Sequence, residues 1–405
     1  MKKLLLFAAV ALACQGAAAA EGLDGLVSGG KVSLQLRYRL ENVDQADLGR
    51  DATANTLRLR LNLASGTVGG FSAVIEGDRL QPLFSEDYNS TRNGRTAYPV
   101  VADPEGTDLN QAYLQFKGLA DTTARLGRQR ITLDNQRFVG AVGWRQNEQT
   151  YDAFSIENKG LPGTTITYAW VDTVRRVFGP DAGSPTAKFE GNAHLLNVKY
   201  AGLPVGAVTA YGYFLDFDNA ATLSSRTVGL RLDGSRKLTE AAIASWRAEY
   251  ARQGDRADNP THISADYWLL EAGLKGATIG AAIGVESLGG ERGTFASNRN
   301  PAFQTPLATL HAFQGWADKF LTTPSGGIED RYVTVSGTHA GVAWQAIWHD
   351  FSAEAASADY GTELDLSVSY RIAKRYEVLA KFADYSAGGL FTDTRKAWLQ
   401  VTATF

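Results

Sequence analysis

The chain has 405 residues, 20% charged and 44% hydrophobic, with a formal net charge of −3 and one cysteine. That balance excludes a nucleic-acid binder, which needs a basic excess, and a lone cysteine excludes a disulfide-built scaffold. A mean hydropathy of −0.19 would suit a soluble protein, yet it suits equally a chain whose strands alternate lipid-facing and water-facing residues.

The first twenty residues read as an export signal. Lys2 and Lys3 precede an apolar run from Leu4 to Ala13, and Ala18-Ala19-Ala20 offers a cleavage site before Glu21. Ten apolar residues are too few to span a bilayer as a helix. The rival processing route, lipidation at Cys14, needs a branched apolar residue where Ala11 stands. Cys14 falls inside the signal, so the mature chain, 21–405, has no thiol for a disulfide, a metal or a nucleophile, and its balance is about −5 once the two lysines are gone.

From Lys31 the chain alternates. Val32, Leu34, Leu36, Tyr38 and Leu40 share one face of the first segment and Ser33, Gln35, Arg37 and Arg39 the other; Leu57, Leu59, Leu61 and Leu63 oppose Arg58, Arg60 and Asn62 in the second. Such segments have one greasy and one wet face. Further strands are predicted near 70–80, 108–117, 122–131, 149–157, 163–174, 192–201, 206–217, 225–233, 240–252, 263–274, 276–287, 328–337, 341–351, 361–371, 374–386 and 393–405, about eighteen in all. Each has the length a tilted strand needs to cross a membrane.

The connections alternate between short turns, among them 65–69, 118–121, 202–205, 234–239 and the single residue Lys275, and longer loops near 81–107, 132–148, 175–191 and 288–327. Short periplasmic turns and long outer loops are how outer-membrane barrels are built, and both termini on the periplasmic side require an even strand number. Phe116, Tyr200, Tyr370 and Phe405 fall at one level and Trp170, Tyr250, Trp268 and Trp348 at another, as two interfacial girdles would. The last strand ends on Phe405, a terminal aromatic that suits recognition by the barrel-assembly machinery. The expected fold is all-β: a single transmembrane antiparallel barrel in contact with outer-membrane lipid and lipopolysaccharide. A soluble sandwich or propeller would show shorter strands or a blade repeat, and none is visible.

On this layout Arg37, Arg39, Arg58 and Arg60 form one patch of lumen wall. Glu76 and Asp78 lie beside it on the third strand, and Glu363, Asp365 and Glu377 form an acidic patch near the closure seam. An arginine wall draws anions into a pore; a salt-bridge ladder that stiffens the lumen is the alternative. For catalysis the signal is poor: His349 and Asp350 are neighbours on a strand and point to opposite sides, and five scattered histidines suggest neither a metal site nor a cofactor. The stretch from Phe303 to Phe320, with His311, Trp316, Asp318 and Lys319, is too aromatic for a freely solvated loop and is expected to fold into the barrel mouth as a constriction.

Gly127-Arg128-Gln129 leading to Arg137, Gly140, Trp144 and Asp152, together with Thr305-Pro306 and Gly315-Trp316-Ala317-Asp318, resembles the alginate-export family of outer-membrane porins. The resemblance implies an eighteen-stranded barrel whose positively lined pore passes an anionic polysaccharide, and it nominates Arg128 and Arg130 beside the four wall arginines. The dedicated exporter of that family carries a long periplasmic loop as a plug, whereas no periplasmic turn here exceeds about six residues. The expected function is passive diffusion or export of anionic or polar solutes; an outer-membrane hydrolase and a structural barrel with a closed lumen are the competing readings.

Overall fold

The computed structural model describes residues 21–291 and 299–405; the expected signal at 1–20 lies outside the described residues. Among these, a short helix, α1 (Glu21–Ser28), precedes eighteen strands. They are β1 (Lys31–Gln45), β2 (Ala52–Ala64), β3 (Phe71–Asp87), β4 (Gly106–Phe116), β5 (Thr122–Gln129) and β6 (Thr150–Asn158). There follow β7 (Thr164–Arg175), β8 (Lys188–Leu203), β9 (Gly206–Leu215), β10 (Ser225–Thr239), β11 (Ala242–Asp255) and β12 (Ser264–Lys275). The last six are β13 (Ile279–Leu288), β14 (Ile328–His339), β15 (Val342–Ser352), β16 (Asp359–Ile372), β17 (Tyr376–Ala387) and β18 (Thr394–Thr404).

Every strand pairs antiparallel with its sequence neighbours, and β1 closes on β18 from Gln35↔Thr404 to Gln45↔Thr394. This is the closed barrel the alternation requires, since closure leaves no strand edge unpaired. The connections keep the expected rhythm. On one side lie 65–70, 117–121, 159–163, 204–205, 240–241, 276–278, 340–341 and 373–375; on the other lie nine outer loops, including the third (130–149) and the seventh (289–327). In the two-residue turn after β14 both Ala340 (φ +48°) and Gly341 (φ +81°) are left-handed, the geometry that matches a tight hairpin to strand twist.

Two local expectations are corrected, and one element is new. Residues 234–239 continue β10 rather than turning, because the alternation of Ser235 and Lys237 with Gly234 and Arg236 carries the ladder onward. The turn before β13 is 276–278 rather than Lys275 alone. Helix α1 was not foreseen; it rests on the first short turn, where the Gly66 amide donates to Leu26 O at 2.8 Å. A Cβ on Gly66 would lie 2.1 Å from Gly25 O, so only glycine permits the approach.

Burial is inverted relative to a soluble protein. Leu61 is 41% exposed and Ile283 62%, while Arg39 and Arg58 are 1% exposed. The outward aliphatic band, with Tyr200, Tyr250, Trp348, Tyr370 and Phe405 exposed near strand ends, is what a lipid-facing surface requires. The upper lumen is filled by loops three and seven, which pack Val139, Phe303, Leu307 and Phe320 against inward residues such as Tyr267, Phe351 and Tyr385.

Candidate functional site

The four wall arginines are inward-facing on neighbouring strands, with Arg37 directly opposite Arg58. Like charges so placed need acceptors, and loop three supplies them. Arg37 donates to Gly143 O (3.0 Å), Arg145 O (2.8 Å) and Gln146 Oε1 (3.0 Å); Arg39 to Trp144 O (2.5 Å); Arg58 to Gln146 O (3.0 Å) and to Gln35 Oε1. Arg60 grips Asp78 through two oxygens (2.7 and 2.6 Å) and reaches Glu148 of the loop at 2.5 Å. The four arginines thus face the lumen but are covered there by loop three. Arginine donors fit carbonyl oxygens, so the patch is a cradle under the tip of loop three, held by charge-assisted hydrogen bonds.

Arg130 joins this network through Glu76 and Glu148. Burial alone would push the Glu148 carboxyl up, but the Arg60 and Arg130 guanidiniums overcome it and hold it down at about 2. Arg128 does not join. It shares its face of β5 with Leu126 and Ala124, opposite Ala112 on β4, and its guanidinium pairs with Asp152 at 2.7 Å, away from the lumen.

The acidic patch does the same for loop seven with the opposite sign. Glu363 (1% exposed) accepts the Ala317 amide at 2.7 Å, and Asp365 (0%) accepts the Trp316 amide at 3.0 Å. Gly315, at φ +84°, makes the approach possible: a Cβ there would sit 2.3 Å from Glu363 Oε2. Glu377 stands apart at the periplasmic end, paired with Arg371 at 2.8 Å. Phe303, Leu307, Trp316 and Phe320 of this stretch are buried, and Lys319 donates to Thr394 Oγ1 at 2.7 Å.

The two loops are then tied together. Val139 and Leu307 bridge in parallel, Trp144 stacks on His311 at 4.5 Å, and Arg145 reaches Asp318 at 3.0 Å. His311 donates from Nδ1 to Asp318 (2.8 Å) and accepts at Nε2 from Lys381 (2.8 Å), whose ammonium lies 3.6 Å from the Trp316 ring centre and 4.1 Å from that of Trp144. Burial, and then the Lys381 charge, holds the His311 imidazole well below its usual range, so it stays neutral, as an acceptor at Nε2 must.

A third charged wall was missed. On β10 to β14, Arg231 pairs with Glu249 (2.9 Å) and Asp233 (2.5 Å), Arg247 with Asp233 (2.8 Å) and Glu271 (3.1 Å), and Glu271 accepts the Tyr332 hydroxyl at 2.7 Å. Above it Arg137 of loop three binds Glu286 at 2.7 Å, and Phe138 packs among Tyr211, Tyr213, Tyr267 and Phe303. Inward alternation on adjacent strands, the rule that found the first wall, would have found this one.

His349 does not meet Asp350; it donates to Asp330 on β14 at 2.9 Å and stacks on Phe351. Neither His349 nor His311 hydrogen-bonds a serine or threonine hydroxyl among the described residues, and none of these residues form a cluster of metal-ligating side chains.

Eighteen closed strands, a charged inner wall and two infolded outer loops define a barrel of the outer-membrane porin type. Residues 30–177, from β1 through β7, match the model for the alginate-export family, as their motifs indicated; the match ends before loop seven. No curated protein matches the sequence significantly. Among solved structures, the chain is similar to Acinetobacter baumannii OccAB4 (14% identity, TM-score 0.74, covering 93% of this chain and 98% of that one). It is also similar to Pseudomonas aeruginosa OpdK crystallised with vanillate (14%, 0.73, 94% and 100%) and to P. aeruginosa OccK9 (16%, 0.72, 94% and 99%). At such identities the likeness is one of fold.

Proposed function

We propose that this protein is a passive outer-membrane channel for anionic and polar solutes. The observation that carries the reading is the wall under loop three: Arg37 meets only carbonyl and amide oxygens, Arg39 and Arg58 reach Asp103 and Glu148 only at 3.7 and 3.9 Å, and Arg60 alone is closely paired with carboxylates, so the positive charge of the four is only partly offset. Within a Debye length of about 8 Å such charge raises the local concentration of anions. The vanillate in the OpdK crystal, itself a carboxylate, supports the same class. Diffusion along the lumen needs no energy source or cofactor, and the loops narrow the path.

Reversal potentials in planar bilayers under a salt gradient test this. An anion preference is expected, reduced when Arg37, Arg39, Arg58 and Arg60 are changed to Gln; a cation preference in the unmodified protein would overturn it. An acidic polysaccharide such as alginate is the second reading, favoured by the family match over residues 30–177. Alginate oligomers that block current far better than short organic acids would establish it.

The aliphatic outer band is the lipid and lipopolysaccharide contact. Phe405 exchanges backbone hydrogen bonds with Leu34 (2.9 and 3.1 Å) while its ring packs edge-on to Tyr376 at 6.2 Å, and it stands where the assembly machinery would grip β18. Deleting it should lower the amount of heat-modifiable barrel in the outer membrane; unchanged assembly would remove Phe405 from that role.

A further inference from the structure

At the periplasmic end of the lumen, below the tip of loop three, a cavity of about 330 Å³ opens between β1, β18, β17 and β16 and the turn 373–375. Its charged lining is Arg37, Arg371, Lys374, Arg375 and Glu377. Glu377 is taken by Arg371 (2.8 Å), and Arg37 is bound only to carbonyl and amide oxygens. Lys374 and Arg375 have no ion-pair partner among the described residues. The cavity is therefore strongly cationic with no carboxylate left over. The rest of its wall is Gln35, Gln400, Thr402 and Thr404, with Tyr376 at its edge: amide and hydroxyl groups, with no aliphatic side chain.

Arg371, Lys374 and Arg375 are exposed to the lumen water, but the turn that carries two of them is fixed. Ala373 (φ +50°) and Lys374 (φ +62°) wind the turn tightly, and it is pinned to the last strand by the Thr404 amide donating to Arg375 O at 2.9 Å. We infer that this cavity is a binding subsite for a compact organic anion, a carboxylate that also carries hydroxyl groups. Charge selects the carboxylate, and the amide and hydroxyl wall, which offers an aliphatic ligand nothing, selects the hydroxyls. A chloride or phosphate would leave most of the volume to water, since about 330 Å³ at interior packing holds roughly a dozen heavy atoms, the size of one acidic sugar ring. The inference rests on the channel reading and locates where, along that channel, a solute pauses before the periplasm.

The test uses D-glucuronate on oriented single channels. Added from the periplasmic side it should reduce chloride current, and glucose should not. Lys374→Asn with Arg375→Gln should raise the half-blocking concentration at least about five-fold, as the loss of two exposed ion pairs would; asparagine is chosen because it tolerates the left-handed backbone at 374. Lys159→Asn, on another periplasmic turn, should leave the block intact. Block that is absent, that glucose matches, that survives the double variant or that Lys159→Asn weakens equally would overturn the site. Calorimetric titration of glucuronate onto the detergent-solubilised barrel reads the same site without current, so a barrel that binds glucuronate but proves cation-selective would sink the channel reading and leave the subsite standing.

Discussion

The wall under loop three and the wall under loop seven are opposite in charge and alike in work. Arginines on β1 and β2 donate to the carbonyls of Gly143, Trp144, Arg145 and Gln146, whereas Glu363 and Asp365 on β16 accept the amides of Trp316 and Ala317. The sign of each wall follows from which half of the peptide group the loop turns toward it. Charged lumen residues thus act first as fasteners, and only the part of their charge that the fastening leaves unmatched reaches a passing solute.

Breaking the arginine side should have the largest effect. Arg37→Met with Arg58→Met strands three buried carbonyls at a cost of about 1–3 kcal/mol each, which should free loop three and raise single-channel conductance several-fold in a barrel that remains heat-modifiable. Unchanged conductance would mean the loop is held by its apolar contacts. On the acidic side, Gly315→Ala should cost about 1–3 kcal/mol of local strain and open loop seven to proteases within 304–320 while loop three stays protected. Nicking of both loops together would show that they dock as one body.

The tie between the walls should respond to acid. His311 is held neutral, below its ordinary range, by burial and by Lys381; the unfolded chain takes up the proton more readily, so the loop contact is fully stable above pH about 6.5 and weakens as pH falls below it. Loop-seven proteolysis should therefore rise between pH 7.5 and 5, and His311→Gln should flatten that profile. The smallest effect is expected on the third wall. Arg247→Gln leaves Asp233 bound to Arg231 but relaxes Glu271, so reversal potentials should move slightly toward cations with conductance unchanged.

The architecture was legible because a period of two and a strict alternation of turn lengths are local signals: the eighteen predicted segments all became strands, most with ends within a few residues. Inward orientation of Arg37, Arg39, Arg58 and Arg60 was legible for the same reason. What covers them was not, since the contact between Arg39 and Trp144 joins residues whose pairing no periodicity encodes. Loop seven betrayed itself by its aromatics. Loop three stood out by its motif and not by its partners, because charged and amide residues such as Arg145, Gln146 and Glu148, spent on buried groups, leave no apolar pattern to read. Arg128 was nominated by the family resemblance alone, which does not say which face a side chain takes, and on β5 it falls on the face of Leu126 and Ala124, beyond Gly127 at φ +123°.

Arg39 joins two events in the history of the chain. It donates to Trp144 O and also to Gln400 Oε1 at 2.6 Å, across 361 positions of sequence. Gln400 arrives only when the last strand has been made and laid against the first, so the grip on loop three is completed by the same contact that zips the ring shut. Contacts of such separation form slowly. An unclosed barrel would therefore hold its third loop without the Arg39–Gln400 brace, and the last step in fixing that loop would report, from inside the lumen, that the ring is complete.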